Sequence, residues 1–286
     1  MKRSIFIVTA AYLVALAFAW LTLHLLPDWH PIARVAVADF VATLIVFAFS
    51  RAYDNSSMYD PYWSLAPMAI APYLAFGPYA QAGISVRKWC LVFVVWLWGA
   101  RLTYNWLRGW RGLGHEDWRY VELRATGRAY WAVSFLGIHL FPTVCTFAGC
   151  LALFPAMSAS TPMNWLDALG LAVSLAALTI EAVADRQLYD HRQSTSAAQI
   201  CERGLWHWSR HPNYFGECSF WVGLWLVGVA SLRDAAWWTA GGPIIMFGLF
   251  LLVSIPMAEK RALARRPEFA RHQQRVSRLV PWFRRL

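Results

Sequence analysis

The sequence predicts an all-α fold: a polytopic integral membrane bundle of about eight transmembrane helices (seven to eight), with both termini cytoplasmic. Three observations carry this. Of the residues, 58% are hydrophobic, 15% are charged, and 18 are Trp. Soluble domains run at about 45–50% apolar and about 25% charged. Apolar runs recur near the roughly 20 residues that a bilayer-crossing helix needs. Basic residues collect on alternate connections between those runs.

The runs are 4–26, 31–50, 61–82, 88–107, 130–155, 164–185, 213–231 and 236–257. The first is too long for a signal-peptide core and lacks a small-residue cleavage site, so it reads as a retained helix. The third is interrupted by Pro67, Pro72 and Pro78. With both termini inside, 21 Lys and Arg fall on the cytoplasmic side and 4 on the other, with Arg101 inside a span. The net charge of +10 therefore belongs to one face. No basic-aromatic groove accompanies it, which excludes a nucleic-acid binder. The five cysteines form no CxxC, and four lie in or beside spans, so reduced and mostly buried thiols are expected. His207 and His211 are i, i+4 but lack a third ligand, so no metal site is expected.

One domain, 1–286, accounts for the chain. The cytoplasmic segments 51–60, 108–129 and 186–212 and the tail from 258 carry most of the polar sequence, so the active face is expected there. The tail 258–278 reads as an amphipathic helix on anionic lipid, with Leu263, Phe269 and Val276 among its arginines.

"WSRHPNYFGE", 208–217, places Arg210, His211, Asn213 and Glu217 at the mouth of an apolar run. Pro212 suits a first helical turn, which makes 209–211 a capping region. The helix start offers N–H groups and positive dipole to a phosphate or carboxylate. Asn213 and Glu217 share one face, and Glu217 lies about a turn inside the apolar zone, where a carboxylate is costly. The structural alternative is a helix cap with an internal ion pair. On the preceding span Glu181, Asp185, Leu188 and Arg192 follow one helical face. Arg186, Arg192 or a ligand's donors would offset the two acids.

"SMYDPYWSLAP", 57–67, sets Asp60 among Tyr59, Tyr62 and Trp63. Asp60 is either an N-cap or a buried acid that keeps its proton and donates it in a hydrogen bond. Arg101 needs a partner, with Asp60 and Asp39 as candidates. "GHEDWRYVELR", 114–124, reads as solvated salt bridges, with Arg108, Arg111 and Arg119 in reach of a phosphate.

"GLWHWSRHPNYFGE" resembles the C-terminal signature of steroid 5-alpha-reductases and sterol reductases, and the tail ending "VPWF" fits it. The resemblance is strongest over 176–286 and is closest to bacterial membrane proteins of that kind. It implies a helical inner-membrane enzyme that binds NADPH at the cytoplasmic side and passes hydride to a conjugated C=C of a lipid-like substrate. On this resemblance Asn213 and Glu217 bind the nicotinamide end, and Asp185 and Arg192 are polar cofactor contacts. Glu181 replaces an Asn and Glu259 a His, while Arg210, His211 and Tyr214 complete the cofactor set. Asp60 falls on the acid that polarises the substrate ketone, with Pro67 supporting the register. The partner Tyr of that acid falls on Trp98, whose indole N–H can only donate, and Tyr59 or Tyr104 would substitute.

Two other classes remain open. Membrane methyltransferases using S-adenosylmethionine share an "RHPxYxG" segment, but their tail carries paired acids where this chain has only Glu259. A non-enzymatic lipid-binding protein is the third.

Overall fold

The computed structural model describes residues 1–78, 85–125, 127, 129–194 and 199–284, without the side chains of 233–235. They form two compact units, Met1–Ser160 and Thr161–Leu286.

In the first unit, α1 (Lys2–Leu25) and α2 (Pro31–Ala52) are apolar enough to cross a bilayer. α2 starts on Pro31, whose missing N–H costs nothing there, and His30 Nδ1 accepts from the Ile32 N–H at 3.3 Å. α1 packs on α2, with Ala15 and Ala42 in one core cluster with Tyr59, Tyr62 and Tyr120. α3 (Tyr62–Phe76) contains Pro67 and Pro72 and ends at Gly77. α4 (Val86–Gly109) opens on a Ser85 cap. α5 (Trp118–Arg124) opens on Asp117, whose Oδ1 accepts from the Arg119 N–H at 2.9 Å. α6 (Tyr130–Val133), a π-helical stretch Ser134–Leu140 and α7 (Phe141–Cys150) run continuously, and α8 (Leu153–Ser158) closes the unit.

The second unit opens with α9 (Trp165–Ser194), a 30-residue helix. A 3-10 turn, Gly204–His207, leads to α10 (Pro212–Leu232). A 3-10 segment, Arg233–Ala240, then α11 (Gly241–Gly248), a π-helical Leu249–Ser254 and α12 (Ile255–Arg265) follow without a break, and α13 (Phe269–Arg275) is last. α9 and α10 approach closely through small residues. A Cβ added to Gly223 would lie 2.7 Å from the Gly170 carbonyl oxygen, and one on Gly216 would lie 2.9 Å from that of Ala177. Close backbone approach of this kind is how helices associate where lipid removes a hydrophobic drive.

Three sequence expectations change. Seven described helices are long and apolar enough to cross: Lys2–Leu25, Pro31–Ala52, Val86–Gly109, Tyr130–Cys150, Trp165–Ser194, Pro212–Leu232 and Ala236–Arg265. The run 61–82 is not among them. Its helix has 15 residues, about 22 Å at 1.5 Å per residue, against a hydrocarbon core of about 30 Å; its end, 79–82, lies outside the described residues. Second, α9 continues through the start of the segment assigned to a loop from 186. Third, the tail is not one helix over 258–278. Arg266 precedes Pro267 and takes φ −146°, ψ 88°, the extended conformation that a following proline enforces. α12 stops there and α13 starts anew. Beyond α13 the chain runs back along 208–210. The Arg210 N–H donates to Ser277 O at 2.9 Å, the Trp282 N–H to Trp208 O at 3.0 Å, and Ser209 Oγ to Leu279 O at 2.7 Å.

The five cysteines are unpaired thiols, four of them buried.

Candidate functional site

In the second unit the polar residues of 208–217 split into two groups. Arg210 and His211 turn to the tail. Glu259 Oε1 on α12 accepts from Arg210 Nε at 2.7 Å and stands 3.1 Å from His211 Nε2, while its Oε2 accepts from Gln273 Nε2 at 2.8 Å. Arg210 Nη1 also donates to the carbonyls of Gln273 (2.7 Å) and Val276 (2.6 Å). The guanidinium expected to face a phosphate thus holds α12 and α13 to the start of α10. Tyr214 stacks on His211 with the ring planes 4° apart.

Asn213 and Glu217 stand apart from this network. Pro212 begins α10, as its ring geometry favours, and Ser209 Oγ accepts from the His211 N–H at 3.1 Å. Asn213 Oδ1 is buried in the first turn with no hydrogen-bond partner among the described residues. One turn deeper Glu217, 3% exposed, accepts from Trp221 Nε1 at 3.0 Å. Glu181, 1% exposed, packs from α9 against Gly216, whose missing side chain leaves it room. Asp185 and Arg192 follow Glu181 on the same helix, and Leu188 joins a cluster with Ala184, Cys201 and Trp206. Arg186 pairs with Asp190 at 2.9 Å.

The first unit holds a separate polar cluster. The segment 113–124 carries the exposed salt bridges Arg119–Asp117 at 2.7 Å and Arg124–Asp54 at 2.8 Å, and it also clasps 54–60. Asn55 Nδ2 donates to the carbonyls of Leu113 (2.8 Å) and His115 (3.0 Å). Glu116 Oε1 accepts from the Ser56 N–H at 2.6 Å, and Ser57 Oγ from the Asp117 N–H at 2.8 Å. Arg124 pairs with Glu116 at 2.6 Å and with Asp54 at 2.8 Å. The clasp delivers Tyr120, whose hydroxyl donates to Asp60 Oδ1 at 2.5 Å. Burial pushes the Asp60 carboxyl up to about 6, while the Arg119 charge and the Tyr120 hydrogen bond pull it down. Burial and the Asp60 charge push the Tyr120 phenol up.

This changes the partner expected for Asp60. Tyr104 is 59% exposed, with Arg108 over its ring at 5.7 Å. Tyr59 bonds Thr143 Oγ1 at 2.8 Å. Trp98 is buried edge-on to Trp63, ring centroids 5.7 Å apart. Asp60 does not cap α3: Pro61 occupies the cap position and makes no side-chain cap. Asp39 accepts from Tyr62 at 2.7 Å. Sequence reasoning missed Tyr120 and Gln273. The signal for Tyr120 was weak but present: Asp117 caps a short helix, and Tyr120 lies one turn along it.

Seven long apolar helices and two inward polar clusters define a polytopic α-helical integral membrane protein. The chain belongs to the family described as "Protein of unknown function (DUF1295)", which matches residues 46–276. A fission yeast (Schizosaccharomyces pombe) protein titled "Uncharacterized protein C594.04c" is 24% identical over 276 residues, covering 88% of this chain and 80% of its own. That relative is fungal, and family membership by itself sets neither organism nor membrane. No solved structure matches.

Proposed function

We propose that the protein is a membrane oxidoreductase that takes NADPH at the start of α10, on its cytoplasmic side, and reduces a conjugated C=C bond of a lipid-like substrate. The observation that carries this is Asn213 Oδ1, buried without a partner among the described residues in the first turn of a 21-residue helix. A buried acceptor left unsatisfied costs about 1–3 kcal/mol, and a ligand that donates to it recovers that. A carboxamide NH₂ is such a donor, so the residues present fit a nicotinamide. Asn213 would hold the carboxamide, and Glu217, fixed by Trp221, would accept from a second donor. The resemblance of 208–217 to the reductase signature supports the same two residues.

When bound, the nicotinamide supplies hydride. The resemblance assigns Asp60 to the substrate ketone, and within the first unit Tyr120 is its hydrogen-bond partner. Tyr120 donates to Oδ1, which leaves the proton of a neutral Asp60 on Oδ2 to donate onward. Donors placed where enolate charge develops lower the barrier.

The test is bound nucleotide. Protein purified in detergent is analysed by mass spectrometry and titrated with NADPH and S-adenosylmethionine. Wild type is expected to bind NADPH; Asn213→Ala is expected to lose at least tenfold in affinity, about 1.4 kcal/mol, while its melting temperature holds. Binding of S-adenosylmethionine, or of neither ligand, overturns the reading.

A further inference from the structure

The tail of the second unit presents aromatic and charged surface that the Arg210 network does not use. The apolar points expected to face lipid do not: Phe269 and Val276 are buried. The aromatics that face outward come later. Trp282 is 66% exposed, Phe283 72% and Trp208 40%. Their rings adjoin, with centroids 5.5 Å apart for Trp208 and Phe283 and 6.2 Å for Trp282 and Phe283. The Trp282 N–H donates to Trp208 O at 3.0 Å, and Trp208 lies just before Pro212, where the apolar helix α10 starts. Exposed Trp at the end of a bilayer-crossing helix marks the membrane–water boundary.

Arg284 follows this aromatic pair and lines a polar cleft. The cavity, about 150 Å³, is bounded by Glu202, Glu268, Arg271, His272, Arg275 and Arg284, among others. A wider recess of about 480 Å³ shares Glu202 and Glu268 with it. Glu202 accepts from His272 Nδ1 at 2.9 Å and from Arg284 Nη1 and Nη2 at 3.2 and 3.1 Å, so Arg284 and Glu202 neutralise each other. Arg271 and Arg275 are i, i+4 on α13, exposed, and make no ion pair among the described residues. Glu268 alone opposes them, which leaves the cleft one net positive charge.

A single positive charge beside aromatics at the boundary suits a singly charged phosphodiester whose chains enter the bilayer. Arg binds phosphate oxygens through charge-assisted, directional bonds, and basic pockets beside membrane helices take anionic headgroups. A zwitterionic headgroup would leave the charge unmatched. We propose that this cleft binds the headgroup of an anionic phospholipid of the phosphatidylglycerol type, with Arg271 and Arg275 on the phosphate and Trp282 and Phe283 beside the upper part of its chains. Gln273, on the same helix, gives its carbonyl to Arg210, so bound lipid steadies the tail against the start of α10. The inference is independent of the reductase reading.

The experiment titrates the purified full chain in detergent with phosphatidylglycerol, phosphatidylcholine and inorganic phosphate. Native mass spectrometry reads the lipid retained, and thermal unfolding reads the stabilisation that binding brings. Wild type is expected to retain phosphatidylglycerol over phosphatidylcholine and to melt higher with it. Arg271→Gln/Arg275→Gln is expected to weaken phosphatidylglycerol roughly 25-fold, about fivefold per arginine, and to lose the thermal shift. Its melting temperature without lipid is expected to hold, since neither arginine has an ion-pair partner among the described residues. Lys260→Gln/Arg265→Gln removes the same charge from exposed positions on α12 outside the cleft and is expected to leave retention nearly unchanged. Trp282→Ala/Phe283→Ala is expected to weaken phosphatidylglycerol severalfold with the charge intact. Equal losses from the two charge-removing pairs reduce the effect to unlocalised attraction and overturn the site, as does equal retention of the two lipids by wild type. Inorganic phosphate bound as tightly as phosphatidylglycerol makes the cleft a free-phosphate site and overturns the lipid assignment. An Arg271→Gln/Arg275→Gln variant that keeps phosphatidylglycerol but loses NADPH also overturns it and gives the cleft to a nucleotide.

Discussion

Replacing Glu259 by Leu is expected to loosen the tail from α10. Glu259 accepts from Arg210 at 2.7 Å, stands 3.1 Å from His211 Nε2, and accepts from Gln273 at 2.8 Å, while the Arg210 side chain is only 8% exposed. Taking away one partner of a buried pair costs about 3–5 kcal/mol, because the other charge stays buried. Arg210 keeps its two carbonyl acceptors, Gln273 O and Val276 O, so the loss belongs at the lower end, about 3 kcal/mol. For a chain of this length that is a fall of about 6–12 °C in melting temperature, read by thermal unfolding in detergent. Hydrogen exchange should quicken over 269–276, the helix that the network ties down. The double change Arg210→Met/Glu259→Leu removes the stranded charge and is expected to lose less than Glu259→Leu alone. A single variant that loses under about 0.5 kcal/mol refutes the reasoning, as does a double variant that loses as much as the single.

Other outcomes follow from the two clusters and the helix pair. The folded Asp60 carboxyl lies above its ordinary value, near 6 against 3.8, so its stability contribution is full below the ordinary value and is lost as pH rises through about 6. Melting temperature against pH should show that loss in wild type and not in Asp60→Asn; parallel curves would refute it. If neutral Asp60 is the donor, turnover falls above the same pH, and Asp60→Asn keeps NADPH affinity with slowed turnover. Tyr120→Phe removes a hydrogen bond that favours the carboxylate, so the alkaline limb of the pH profile moves up; an unmoved limb would detach Tyr120 from Asp60. Gly223→Val forces side-chain atoms onto the Gly170 carbonyl and is expected to cost about 1–3 kcal/mol by overpacking, measured as lower thermal stability.

The class of protein was legible in the sequence because its signals are local. Apolar runs, their length and the proline-marked starts of α2 and α10 are properties of neighbouring residues. So is the single helical face of Glu181, Asp185, Leu188 and Arg192, which α9 carries intact. Even the break in the tail was readable, since Pro267 forces Arg266 out of the helix. What only the tertiary structure decided is which polar groups meet. Tyr120 reaches Asp60 across 60 residues of sequence, and Glu259 meets Arg210 across 49. A helical period says which face a side chain occupies but not what the chain brings opposite it. Arg210 and Asn213 look alike as polar residues at one helix mouth. Folding spends the first on an internal carboxylate and leaves the acceptor oxygen of the second without a partner among the described residues, a difference set by the returning tail rather than by the segment itself.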